Sequence, residues 1–234
     1  MASFFLQKLL NIDFYDNIMN ILIEVFMKKI TKIEYQKKNK DRVNVYLDDC
    51  FSFGIDLNIM IKYSLTKNME LSDEFIEDIL KSEEENNVYN YGLTVLSRSL
   101  KSEKQLKDKM LDKGYDHELI DRAIEKLKNH RYLDDKYYCE ALVNTRLNSA
   151  KYGKRRIVQE LYEKGIEKEI MDSKLNEISD EEEFERAYQL ATKKIKSIKE
   201  EDTLKIGSKL SNYLIYRGFD YETVKKVVQK ILQL

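Results

Sequence analysis

Hydrophobic residues recur at helical spacing around three glycines, Gly114, Gly165 and Gly218, which lie 51 and 53 residues apart. Eight, four and three positions before them stand Leu106, Met110 and Leu111; Ile157, Leu161 and Tyr162; and Leu210, Leu214 and Ile215. That spacing predicts one apolar helix face in each case. One position after the glycines come Tyr115, Ile166 and Phe219. Six and ten after come Ile120 and Ile124, Met171 and Leu175, and Val224 and Val228, which predict a second amphipathic helix. Each glycine serves as a structural turn, a left-handed helix stop without a Cβ clash. Asp116 and Asp220 are suited to cap the second helix, and Glu167, with its longer side chain, is a poorer cap. A matched pattern with a period near 50 predicts a repeat array.

Each unit also has a lead-in helix. These are expected over about Asn87 to Leu100, Asp134 to Arg146 and Glu182 to Ile198. Leu133 is placed as a staple for the second, and Ser179–Glu182 has the form of a capping box for the third. Upstream the period changes. Ile33 and Tyr35, then Val43, Val45 and Leu47, alternate with polar residues and predict a β-hairpin, with Phe51–Phe53 as a possible third strand. Helices from about Asp56 to Leu65 and from Ser72 to Lys81 follow, and Glu83–Asn87 reads as the boundary. The fold class expected is mainly α: an elongated tandem array of three three-helix repeats with a small N-terminal β-hairpin and helix cap. The expected divisions are an extension over 1–26, an αβ region over 27–86 and repeats over 87–133, 134–178 and 179–234. Residues 1–26 are apolar but interrupted by acids, and Met27 is expected to be the start of translation.

Composition supports this picture. Charged residues make up 35% of the 234 positions, so much of each helix must face water, as in an extended array. There is no proline, and Lys plus Arg total 41 against 42 Asp plus Glu, which argues against bulk binding of a polyanion. Cys50 and Cys139 lie far apart with no CxxC and read as buried or idle thiols in a reducing compartment. No apolar run is long enough for a membrane span.

Catalytic chemistry is not visible. There is no phosphate-cradling glycine motif, and the two histidines, His117 and His130, lack companions at ligand spacing. Asp134–Asp135 and Glu181–Glu183 stand at helix starts and read as caps and dipole partners. Neither catalytic residues nor cofactors are expected. One cluster stands out: the middle helix of the second repeat opens with Lys151, Tyr152, Gly153, Lys154, Arg155 and Arg156. Cations at a helix start oppose its dipole, at about 0.3–1 kcal/mol each. Free N–H groups beside Arg and Lys make a ready site for phosphate or a partner's carboxylates. Tyr152 can stack on a base, although packing is the expected role.

The residues resemble the RecX family of recombinase regulators. Leu96–Ser99, Ser102, Glu103 and Leu106 resemble the first repeat of that family. Tyr132–Asp135, Tyr138 to Arg146, Tyr152–Gly153, Ile157, Leu161 and Lys164–Ile166 resemble the second, and Leu210, Leu214 and Arg217–Phe219 the third. Two departures are Arg131, where the family commonly has Gly, and Leu100, where a basic residue is frequent. The resemblance implies a cytoplasmic, monomeric, non-enzymatic protein. Its implied partner is the RecA recombinase filament on DNA, whose ATPase, strand-exchange and coprotease activities it modulates and mostly inhibits. Contact with single- or double-stranded DNA is then weak or filament-dependent. The candidate partner-binding residues are Lys151, Tyr152, Lys154, Arg155 and Arg156, together with Arg98, Arg146 and Arg217. A direct DNA-binding repeat protein and a general helical scaffold are the alternatives.

Overall fold

A computed structural model of the chain describes residues 27–233. The expectations for the N-terminal extension lie outside the described residues. The chain divides into two compact units, up to Asn90 and from Tyr91 onward.

The first unit is built on an antiparallel sheet. Strands β1 (Lys28–Tyr35), β2 (Arg42–Leu47), β3 (Cys50–Asp56) and β4 (Glu70–Leu71) lie in the order β3-β2-β1-β4. Alternation puts Val43, Val45, Leu47, Phe53 and Ile55 on one buried face. Helix α1 (Leu57–Lys62) covers that face with Ile59, and the first turns of α2 (Asp73–Arg98) add Ile76 and Ile79. The hairpin and the third strand appear as expected. The two-residue β4 is too short to leave an alternation signal.

One expectation is corrected: the helices read as Ser72–Lys81 and Asn87–Leu100 are a single helix, α2. The acidic run contains no Pro or Gly to break it, and glutamate favours helix. Glu83 in that run is buried, accepting the Asp56 amide at 2.8 Å and pairing with Arg42 at 2.7 Å.

The second unit holds the repeats. The first comprises the end of α2, α3 (Glu103–Asp112) and α4 (His117–Asn129). Then come α5 (Asp135–Ser149), α6 (Lys154–Glu163) and α7 (Lys168–Leu175). The third consists of α8 (Asp180–Ile195), α9 (Thr203–Tyr216) and α10 (Tyr221–Leu232). The expected caps are present. Asp116 accepts the Glu118 amide, Asp220 that of Thr223, and Ser179 with Glu182 forms the capping box. Glu167 makes no side-chain cap bond. Arg131, at the position where glycine is common in the resembled family, has a left-handed φ of 60°. Cys139 is buried, which pushes its thiol pKa up, whereas Cys50 is exposed in the sheet.

The glycine-flanking pattern divides in two. The residues eight and four before each glycine are fully buried. Those three before are not: Leu111, Tyr162 and Ile215 are 38%, 74% and 48% exposed. The expectation of a single inward face is therefore corrected at this position. Adjacent helix residues diverge by about 100°, so one step from a central core position leaves the core.

Candidate functional site

Cations and aromatics gather where the second and third repeats meet. Arg146 in the last turn of α5 forms a bidentate pair with Glu160 of α6, at 2.7 and 2.5 Å. Its guanidinium also lies 5.9 Å from the Tyr152 ring centroid. Arg217, the C-cap of α9, approaches that ring at 5.8 Å and the Tyr213 ring at 5.2 Å. Tyr152 thus packs with two guanidinium groups from different repeats, each contact worth about 0.5–1 kcal/mol at exposed sites. A polar cleft of about 290 Å³ opens beside it, lined by Arg146, Tyr152, Arg156, Glu160, Glu163 and Lys164. Lys151, Arg155 and Arg156 are exposed.

Arg217 is therefore brought to one joint with Arg146, Tyr152, Arg155 and Arg156, some sixty residues earlier in the sequence. Arg98 is exposed in the last turn of α2 and does not line this cleft. Leu100, the departure from the family pattern, shares a separate shallow groove with Tyr138, Leu142 and Arg146.

The expected open helix start is corrected. Gly153 is the N-cap of α6, and its amide donates to the Arg217 carbonyl at 3.0 Å. Arg155 donates its amide to the Gly218 carbonyl at 3.1 Å, and Lys154 its amide to the Glu183 carboxylate at 2.8 Å. These amides are occupied from within the chain and are closed to an outside anion. Lys154 is likewise committed internally, its ammonium donating to the Ile178 carbonyl at 2.6 Å.

The same bonds explain how α6 tolerates three cations in its first turn. The C-terminus of α9 abuts that turn, and its carbonyls carry the partial negative charge that favours cations. Glu183, 2% exposed and paired with Arg186 at 2.5 Å, adds a full negative charge.

The joint between the first and second repeats repeats this logic with different residues. Ser102, the N-cap of α3, donates its hydroxyl to the Lys164 carbonyl at the end of α6, at 2.6 Å. The Glu103 amide donates to Asp135 at 2.8 Å. Burial is the main cause that raises the Asp135 pKa. At both joints a middle-helix start is closed by the next repeat's glycine turn and by a carboxylate from its lead-in helix. Sequence reasoning assigned Asp135 and Glu183 to their own helices. Their spacing carries no sign that they serve another repeat.

The Arg146 guanidinium holds the Glu160 carboxyl below its ordinary value of 4.5, against an opposing effect of burial. A lowered folded-state pKa means the pair stabilises fully above about pH 4.5 and loses that contribution as pH falls through the folded value. Glu160→Gln is expected to destabilise the protein at pH 7, and by progressively less as the pH is lowered below 4.5, read by urea denaturation. An equal deficit at every pH refutes the ionic origin.

Models of the RecX family match four successive segments. These are the regulatory protein RecX N-terminal domain over residues 28–72 and the first, second and third RecX three-helix domains over residues 89–127, 134–175 and 180–228. The chain is 40% identical over 203 residues to regulatory protein RecX of Clostridioides difficile (strain 630), covering 87% of this chain and 95% of that one. To regulatory protein RecX of Clostridium perfringens (strain 13 / Type A) it is 37% identical over 207 residues, covering 88% and 97%. A crystal structure of regulatory protein RecX superposes with a TM-score of 0.75 at 27% identity, covering 88% of this chain and 98% of that one. The structure of RecX from Lactobacillus salivarius superposes at 0.61 and 25% identity, over 65% and 99%. No helix among the described residues is long and apolar enough to cross a membrane. In sequence along nearly its whole described length, and in the fold of its repeats, the chain belongs to the RecX family of regulatory proteins.

Proposed function

We propose that this protein is a non-enzymatic regulator, acting as a cytoplasmic monomer, that binds the RecA recombinase filament on DNA. It modulates, and mostly inhibits, the ATPase, strand-exchange and coprotease activities of that filament. The observation that carries the reading is the joint of the second and third repeats. Its amides and Lys154 are spent inside the fold, yet Lys151, Arg155 and Arg156 face outward beside the Tyr152 clamp. A rigid cationic surface of this kind suits the carboxylates of a protein partner, and charge across such a contact governs encounter and register. A modular chain suits a long partner because contacts spread over several repeats.

Direct DNA reading is the weaker alternative. The second helices that a helix-turn-helix reader would present carry exposed acids: Glu118, Asp121 and Glu125 on α4, and Glu169 and Asp172 on α7 with Glu167 at its N-cap. These would face phosphates unfavourably.

Titration into RecA filaments on single-stranded DNA, with ATP hydrolysis followed, tests the proposal. Hydrolysis is expected to fall with added protein. Arg155→Glu with Arg156→Glu is expected to raise the half-inhibitory concentration by roughly tenfold or more with helicity unchanged, the scale of lost contacts between close charges. Unchanged hydrolysis at molar excess of wild type sinks the regulatory reading. Strong, salt-dependent binding to DNA without recombinase favours the alternative.

A further inference from the structure

Within the second unit the middle helices meet end to end. The start of α6 bonds to the carbonyls closing α9, and the start of α3 bonds to the Lys164 carbonyl closing α6. Near the closing end of each middle helix, three residues before its glycine, stands one exposed apolar side chain: Leu111 on α3, Tyr162 on α6 and Ile215 on α9. Single exposed apolar residues are ordinary. Here the same position is exposed and apolar in all three repeats, although it contributes little to any core.

Each joint adds a cation at the glycine turn that follows that position. Lys104, exposed at the start of α3, lays its stem against Gly165 and donates its ammonium to the Glu163 carbonyl at 3.2 Å, next in sequence to Tyr162. Arg155 and Arg156, exposed at the start of α6, contact the Gly218 turn, whose helix carries Ile215 and the exposed Tyr216. An exposed apolar residue followed by a glycine turn that carries a cation therefore occurs at the first joint and again at the second. Leu111, at the end with no preceding joint, stands as the apolar tip alone.

We infer that Leu111, Tyr162 and Ile215, with Lys104 and Arg155 at the glycine turns that follow the latter two, form a repeated docking surface for a protein partner. That partner presents an apolar pocket rimmed by carboxylate, once for each repeat contacted. The charge pairing argues for protein carboxylates, and the threefold recurrence argues for a partner that is itself repetitive. The inference rests on the filament-binding reading above and deepens it by naming the contacts. Because the contacts are linked through one chain, their losses compound as in any multivalent system.

The test is cosedimentation of the full chain with RecA filaments on single-stranded DNA. It compares wild type, Leu111→Ser, Tyr162→Ser, Ile215→Ser and the triple variant. Circular dichroism is expected to show the helices intact, with only a small fall in melting temperature, since the three side chains are partly to largely exposed and serine is a weaker helix former. Single variants are expected to weaken binding about three- to tenfold and the triple variant about a hundredfold or more, as linked contacts multiply. Wild-type binding by the triple variant overturns the surface and leaves the regulatory reading standing. No filament binding by wild type overturns both. If wild type binds bare single-stranded DNA and the triple variant loses that binding, the row stacks on bases, and the protein-docking inference is overturned.

Discussion

Alanine in place of Gly218 is expected to destabilise the protein by about 3 kcal/mol, against about 1 kcal/mol for the same change at Gly114. Both residues have φ near 90°, so both substitutions carry the roughly 1–2 kcal/mol cost of a left-handed L-residue. Only Gly218 is also enclosed. A Cβ there lies 2.5 Å from the Arg156 amide nitrogen and Cβ, whereas one on Gly114 meets nothing within 4 Å. Backbone cannot swing aside as a side-chain tip does, and forcing atoms into a packed contact adds about 1–3 kcal/mol. Gly114 escapes because no repeat precedes the first to lay a helix start on its turn. Denaturant unfolding of the two variants gives the comparison. Equal costs would show that the glycines serve backbone conformation alone and that the joint is loose. Gly218→Ala is also expected to weaken filament binding more than Gly114→Ala, since it displaces Arg155 and Arg156.

The second large effect is expected at Glu183. Replacement by alanine removes the acceptor of the Lys154 amide and the partner of Arg186, whose side chain is only 13% exposed. Breaking a buried pair by deleting one member costs about 3–5 kcal/mol, because the other charge is left uncompensated. Glu183→Gln keeps an acceptor for the amide and loses the charge, so roughly half that cost is expected. Asp135→Ala at the other joint is expected to cost less, about 1 kcal/mol, since its carboxylate serves one amide and Ser102 bonds the adjoining turn independently. Urea denaturation of the three variants checks the order. A Glu183→Ala cost no larger than that of Asp135→Ala would mean that Arg186 finds water or another acceptor, and that the carboxylate is not central to the joint.

These two sites show where reading residues in order succeeds and where it fails. The helix, glycine turn and helix of each repeat were legible because their causes are local. Apolar spacing, a glycine stop and an Asp or Ser cap all act within a turn or two of the residue concerned. The four caps Ser102, Asp116, Ser179 and Asp220 behave as their side chains dictate. The candidate cluster was legible in part. Lys151 to Arg156 announce themselves as a run of cations, and Arg146 and Arg217 stand in segments shared with the family. Nothing local says that Arg146 and Arg217 approach one tyrosine, or that Lys154 turns inward to Ile178.

The amino-acid pattern by itself determined that the chain makes repeated helices and turns, because helix periodicity and glycine stops are short-range properties of the backbone. Tertiary packing alone decided how the repeats join. The amides opening α3 and α6 were each going to find acceptors, and which acceptors depends on placing another repeat's turn and carboxylate within 3.1 Å. It also decided that Tyr162 faces solvent while Leu161 is buried. One residue along a helix is a rotation of about 100°, and only a neighbouring element determines which direction is inside.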